Sequence, residues 1–210
     1  MYLFFDLDGT LTDPGLGITN SVMYALAKFG IYEERSELYK FIGPPLLDSF
    51  REFYGFSEED SLKALSYYRE YFGEKGLFEN EVYDGIRELL EELREEGHHL
   101  LVATSKPTFY SEKILNHFGL DKYFEYLSGC SMDEKNSTKA DIIRKALSVC
   151  KAAPEDVLMI GDRKHDIIGA KANGVKSIGV LYGYGDLTEL TMAGADHIAE
   201  TVEDTKQFIC

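Results

Sequence analysis

Asp6-Leu7-Asp8-Gly9-Thr10 directly follows a short aromatic-rich run, Tyr2-Leu3-Phe4-Phe5. Four apolar residues closed at once by acids and a glycine read as a buried strand whose carboxyl end is Asp6, with a turn at Gly9. From Gly17 the period changes. Ile18, Val22, Ala25, Leu26 and Phe29 fall on one face of a helix, and Gly30 supplies its stop. The helical pattern then continues without a strand. Pro44-Pro45 interrupts it, 46–54 resumes it, and Ser57-Glu58-Glu59-Asp60 resembles a capping box opening a helix through Phe72. Residues 15–80 therefore read as one all-helical block.

Beyond that block, helices and short strands alternate. Helix 85–96 precedes strand 99–104, and helix 109–118, ended by Gly119, precedes a weaker strand over 124–127. Helix 139–150 precedes strand 157–160, and two further strands are expected near 177–181 and 197–199. Such alternation is the signature of a parallel sheet covered on both faces. The predicted architecture is α/β: a Rossmann-like doubly wound core of residues 1–14 and 81–210, with an all-helical cap, 15–80, inserted after the first strand. Ligands in such sheets bind outside the carboxyl ends of the strands. The insert is expected there as a lid.

Composition narrows the function. The 210 residues carry 22 basic and 37 acidic side chains, a formal charge of −15. That field repels nucleic-acid backbones and anionic membrane surfaces, so neither is an expected partner. It also repels a small phosphate ester, so a phosphate site here needs local cations. No apolar stretch approaches the roughly 20 residues that span a bilayer, and the amino terminus has no basic leader, so cytoplasmic residence is expected. Cys130, Cys150 and Cys210 lack metal-ligand spacing and read as reduced thiols. The sequence fixes no oligomeric state.

Polar groups recur where the predicted strands end or the following helix begins: Asp6 with Asp8, then Thr104, then Lys139, then Asp162 with Asp166. A single acid at such a place is often only a helix cap. The joint occurrence points to chemistry. Asp6, Asp8 and Asp162 brought together repel one another unless a hard divalent cation sits among them, and oxygen donors suit Mg2+. A carboxylate can attack phosphorus, and a second acid two residues on can protonate the leaving alkoxide and later deprotonate water. Thr104, Lys139 and the backbone N–H groups after Asp6 are candidate donors to the phosphoryl oxygens.

Asp6-Leu7-Asp8-Gly9-Thr10-Leu11 resembles the first motif of the haloacid dehalogenase-like hydrolase superfamily. Leu101-Val102-Ala103-Thr104 resembles its second, Lys139 its third, and Ile160-Gly161-Asp162 with Asp166 its fourth. The resemblance implies a Rossmann-like core with a helical cap and a magnesium-dependent phosphatase acting on a small phosphorylated metabolite. It implies Asp6 as nucleophile, Asp8 as acid/base and Asp162 as a metal ligand. Asp166 would reach the metal through water or stand behind its direct ligands, and the Asp8 carbonyl would complete the protein ligands.

Within the superfamily the phosphoglycolate phosphatase-like branch is most similar, through Thr104-Ser105-Lys106-Pro107 and a cap loop, Ile42-Gly43-Pro44-Pro45-Leu46. Gly9, Thr10, Ser105, Lys106, Gly43, Pro44 and Arg163 are the expected substrate contacts. Two departures stand out. Lys139 is followed by alanine where the family has proline, which leaves Lys135 and Lys106 as competing phosphate-binding lysines, and Arg163-Lys164 follows the fourth-motif aspartate. A 5′-nucleotidase, pyrophosphatase or sugar phosphomutase would use the same core residues. A receiver domain brings its acidic pair before the phospho-acceptor, the reverse of the order here, and a catalytically idle binding protein would not need every catalytic residue type.

Overall fold

A computed structural model describes residues 1–132 and 137–209. The chain divides into two compact units, Met1–Thr12 with Val82–Cys210, and Asp13–Glu81. In chain order the strands are β1 (Tyr2–Phe5), β2 (Thr12–Asp13), β3 (Glu81–Val82), β4 (His99–Pro107), β5 (Tyr126–Cys130), β6 (Val157–Gly161), β7 (Lys176–Val180) and β8 (His197–Ala199). The helices are α1 (Gly15–Ala27), α2 (Leu46–Tyr54), α3 (Glu58–Tyr71), α4 (Ile86–Glu95), α5 (Thr108–Phe118), α6 (Lys139–Cys150), α7 (Lys164–Ala172), α8 (Leu187–Ala193) and α9 (Val202–Lys206). Among the described residues no helix is long and apolar enough to cross a membrane.

The larger unit is a six-stranded parallel sheet in the order β5-β4-β1-β6-β7-β8, flanked by helices, a Rossmann-like α/β core. A central parallel strand is buried on both faces, which is why β1 is apolar at every position from Leu3 to Phe5. Successive side chains take opposite faces. Phe4 joins Leu101, Ala103 and Met159 of the neighbouring strands with Ile142, Ile143 and Ala146 of α6 and Ala170 of α7. Phe5 turns the other way, its ring 6.2 Å from that of Phe124.

Register then sets the site. Phe5 lies opposite Val102 on one side and Ile160 on the other, so the next residues, Asp6, Ala103 and Gly161, come level at the carboxyl edge. The Asp6 N–H extends the pairing by donating to the Ile160 carbonyl at 2.9 Å.

The smaller unit has an aromatic interior. Phe41 packs on Phe50 at 5.2 Å, Phe50 on Phe56 at 6.0 Å, and Phe56 on Phe29 at 4.7 Å. Tyr68 and Phe72, stacked at 5.3 Å, are buried, whereas Tyr67 and Tyr71 are half-buried, so the tyrosine-rich stripe of α3 is core and rim. Ser57 caps α3, its hydroxyl accepting the Asp60 N–H at 3.1 Å.

Three local expectations differ. After Gly30, in the left-handed region at φ 73°, residues 31–34 leave helical conformation and a 3-10 helix spans Arg35–Phe41, because the exposed Tyr32-Glu33-Glu34 offers no apolar stripe to pack. β4 runs three residues past Thr104: an irregularity between Ala103 and Pro107 lets Pro107 pair again, with Cys130. β5 starts two residues late because a 3-10 turn, Asp121–Tyr123, occupies the chain before it.

Gly17 of α1 lies against the turn of π-helix at Phe72–Gly76 and donates its N–H to the Glu79 carbonyl at 2.9 Å. A Cβ there would collide with the Gly76 carbonyl oxygen. Gly17→Ala should therefore destabilise the protein by about 1–3 kcal/mol, despite alanine's better helix propensity, as measured by urea unfolding.

Candidate active site

The turn after β1 is closed by its own backbone. The Leu7 carbonyl receives N–H groups from Thr10 at 3.3 Å, Leu11 at 2.9 Å and Thr12 at 3.1 Å, and the Gly9 N–H donates to the Thr12 carbonyl at 2.8 Å. Gly9 has φ 82°, and a Cβ on it would run into the Asp162 carboxylate. Both features require glycine. Gly9 and Thr10 are expected substrate contacts; in this structure their N–H groups donate within the turn, and the Thr10 hydroxyl lies 3.5 Å from Asp162 Oδ1.

Asp6, Asp162 and Asp166 converge. One carboxylate oxygen from each lies within 4.8 Å of the others, and all three residues are buried. Asp162 follows β6, and its Oδ2 accepts the Tyr184 N–H at 2.8 Å. Asp166 stands in the first turn of α7, with Oδ2 accepting the Arg163 N–H at 3.1 Å. Its side chain occupies the space over Gly161, where a Cβ would strike it.

Lys139 neutralises part of this charge. Nζ is 2.8 Å from Asp6 Oδ1, 2.6 Å from Asp166 Oδ1 and 3.0 Å from the Ala103 carbonyl. Position follows from local sequence: Thr138 and Asp141 form a reciprocal capping box that makes Lys139 the first residue of α6. Contact with α7 then fixes the helix, as Asn173 Nδ2 donates to the Ala140 carbonyl at 2.9 Å. The missing family proline is thus replaced by a cap. Of the competing lysines, Lys135 lies outside the described residues and Lys106 goes elsewhere.

Lys106 Nζ sits 2.5 Å from Asp8 Oδ2, in a pair nearly closed to solvent. The lysine reaches there from the irregular stretch of β4, where its N–H donates to Thr104 Oγ1 at 3.2 Å. Asp8 therefore faces a different partner from the other three acids. Thr104 is buried at the same sheet edge. Ser105 is met through its carbonyl, which accepts Cys130 Sγ–H at 3.1 Å.

The electrostatics ask for positive charge. Asp6, Asp8, Asp162 and Asp166, when all ionised, outnumber Lys106 and Lys139 by two negative charges. Burial, with Asp166 and Asp6 nearby, pushes the Asp162 carboxyl well above the ordinary range, against the Tyr184 N–H. Burial raises Asp166 as well, more than Lys139 can offset, and raises Asp8 despite Lys106. For Lys139 burial acts to weaken the ammonium, but Asp166 and Asp6 reverse it and hold the side chain charged. The Oδ1 atoms of Asp6 and Asp166 are buried against the Lys139 ammonium, and Asp8 Oδ1 is buried without a hydrogen-bond partner. An all-oxygen donor set with open lone pairs and two charges in deficit fits one hard divalent cation.

Arg163, whose charge opposes the rise of the Asp162 carboxyl, has a carboxylate partner of its own. It is engaged by Glu189, at 2.9 Å from Nε and 3.3 Å from Nη2. Gly43 and Pro44 lie in the smaller unit, before α2, with Gly43 at φ 101°. His165 is half-buried beside Asp166, its imidazole lowered by burial and by Arg163 and Lys164. Sequence reasoning missed Glu189, and it assigned neither the Tyr184 N–H to Asp162 nor the close approach of Gly183 and Gly185. A Cβ at Gly183 would strike Asp162 and the Gly9 carbonyl, and one at Gly185 the Asp162 carbonyl. Only the glycine pair in Tyr182-Gly183-Tyr184-Gly185 hinted at close backbone approach.

Comparison with known proteins agrees with this geometry. A family model described as haloacid dehalogenase-like hydrolase matches residues 3–180. The chain is 47% identical to a 5′-nucleotidase of Pseudomonas aeruginosa, over 99% of this chain and 94% of that one. It is 28% identical to a phosphoglycolate phosphatase of Vibrio parahaemolyticus, over 98% and 94%. A crystal structure of a predicted phosphatase from Clostridium acetobutylicum superposes with a TM-score of 0.96 at 53% identity, covering 99% of this chain and 97% of that one. Over most of its length, then, with its acids and lysines gathered at one sheet edge, this chain belongs to the haloacid dehalogenase-like hydrolases and is a phosphatase.

Proposed function

We propose that the protein hydrolyses small phosphate monoesters through an aspartyl-phosphate on Asp6, with Mg2+ bound among Asp6, Asp162, Asp166 and the Asp8 carbonyl. The observation that carries this reading is the convergence of Asp6, Asp162 and Asp166 with Lys139 at the carboxyl edge of the sheet. When bound, the cation supplies charge neutralisation for the phosphate and the acids around it.

The protein's own groups do the rest. Lys139 fixes Asp6 by Oδ1, which restricts the carboxylate's rotation and presents Oδ2 for attack. Asp6 forms a bond to phosphorus as the ester P–O bond breaks, and the leaving alkoxide takes a proton from Asp8. The raised Asp8 carboxyl is suited to hold that proton. Asp8 then receives a proton from water, whose oxygen bonds phosphorus while the acyl-phosphate P–O bond breaks. Asp6 and inorganic phosphate are released. Thr104, Ser105 and Lys106 are read as contacts to the phosphoryl group, with Lys106 also holding Asp8.

For the substrate, nucleoside 5′-monophosphates rank ahead of phosphoglycolate. The ground is the 47% identity to a 5′-nucleotidase against 28% to a phosphoglycolate phosphatase, at similar coverage. Both leave the chemistry at Asp6 unchanged.

Purified protein should hydrolyse an aryl phosphate with Mg2+ and lose the activity on chelation. Asp6→Asn should abolish turnover with an unchanged circular dichroism spectrum, and full activity in that variant would remove the nucleophile assignment. Asp8→Asn should lower kcat by roughly 10²–10⁴-fold, the usual worth of a placed acid/base. Lys139→Met should destabilise the cation-free protein by about 3–5 kcal/mol in urea titrations, since it strands buried carboxylates without their partner. In a screen of metabolite phosphates, with Asp6→Asn as the blank, nucleoside 5′-monophosphates should give the highest kcat/KM. A preference for phosphoglycolate would reverse the ranking.

A further inference from the structure

Helix α8 contributes a carboxylate that none of the steps above uses. Glu189 Oε1 accepts from Arg163 Nε at 2.9 Å and from the Lys164 N–H at 2.8 Å, while Oε2 accepts from Arg163 Nη2 at 3.3 Å. One side chain thus grips the side chain of residue 163 and the main chain of residue 164. These two residues directly follow Asp162, and the N–H of Arg163 is itself donated to Asp166. The pair is sheltered, with the Arg163 side chain 13% and the Glu189 side chain 21% exposed. Burial disfavours the Glu189 carboxylate, yet Arg163 and the Lys164 N–H keep its carboxyl below the ordinary range.

The approach to α8 grips the other end of the same segment. Tyr184, in the loop between β7 and α8, donates its N–H to Asp162 Oδ2. Gly183 and Gly185 let that loop lie directly on Asp162. Asp186 Oδ1 then accepts the Glu189 N–H at 2.8 Å, tying the loop to the helix that carries the glutamate. Asp162 and Asp166 repel each other and Asp6. Without an anchor at 163–164 the segment between them is free to relieve that repulsion by moving the two carboxylates apart, and a cation would then have to draw them together at its own expense.

We propose that Glu189 is a positioning residue for cation binding: through Arg163 and the Lys164 N–H it holds Asp162 and Asp166 in the arrangement that meets Asp6. The inference rests on the reading of these acids as a cation site. A glutamate that merely fastened α8 to α7 would affect stability and leave cation affinity alone.

Direct titration with Mn2+, by calorimetry or by electron paramagnetic resonance of the free ion and without substrate, separates the two. Glu189→Ala should bind Mn2+ roughly 10–100-fold more weakly than the native protein, the usual cost of losing a group that orients metal ligands. Glu189→Gln should recover part of the loss, because its Oε1 still accepts from Arg163 and the Lys164 N–H. Native affinity in Glu189→Ala, whatever its melting temperature without cation, overturns the proposal. Should Glu189→Ala fail to fold, Arg163→Met is titrated instead; weakened Mn2+ binding supports the proposal and native binding overturns it. Failure of the native protein to bind Mn2+ overturns the cation site and this inference together, whereas failure in the variants alone to lose affinity overturns only the role of Glu189.

Discussion

Four carboxylates gathered at the carboxyl edge of one parallel sheet are the constraint to which the rest of this structure answers. In a low-dielectric interior such charges repel strongly. Lys139 lies between Asp6 and Asp166, Lys106 is given to Asp8, and the Tyr184 and Arg163 N–H groups are aimed at Asp162 and Asp166. Even so the local charge stays negative, and burial holds Asp8, Asp162 and Asp166 above their ordinary range. On the proposed reading that residual deficit is what a bound cation would meet. A site fully neutralised by its own side chains would have no affinity for a divalent cation and would offer nothing to offset an incoming phosphate in a chain of charge −15.

Close approach of backbone segments makes the cluster possible. The glycines at 9, 161, 183 and 185 each occupy a spot where a Cβ would meet Asp162 or Asp166. They differ from the glycines that end helices, such as Gly55 and Gly119, around which a Cβ would find open space. The first group is demanded by packing around charge and the second by backbone conformation alone.

Much of the fold was legible in the sequence because parallel strands announce themselves locally: Tyr2-Leu3-Phe4-Phe5 and Val157-Leu158-Met159-Ile160 are apolar at successive positions, as burial on both faces requires. Asp6, Thr104, Lys139 and Asp162 were legible because each sits where such a run stops or the next helix starts. The Asp8–Lys106 pair spans 98 residues, and Glu189 meets Arg163 across 26. No local pattern encodes pairings of that kind. Arg163 shows the limit plainly. Its position suggested a hand for the substrate anion, and only the placement of α8 reveals that a glutamate already occupies it. The extra residues of β4 were hidden for a different reason: Thr104-Ser105-Lys106 is polar, and its return to the sheet at Pro107 depends on the partner strand.

The division between the two lysines carries the last step. Lys139 faces the pair Asp6 and Asp166, whereas Lys106 faces Asp8 alone. A single lysine shared among all the acids would bind whichever carboxylate was ionised and so link the charge on Asp6 to the proton on Asp8. Separate lysines loosen that link. On the proposed mechanism Asp8 gains and loses a proton against Lys106 while Lys139 holds Asp6 in place, and a carboxylate proposed to attack phosphorus needs that independence from the acid proposed to serve its leaving group.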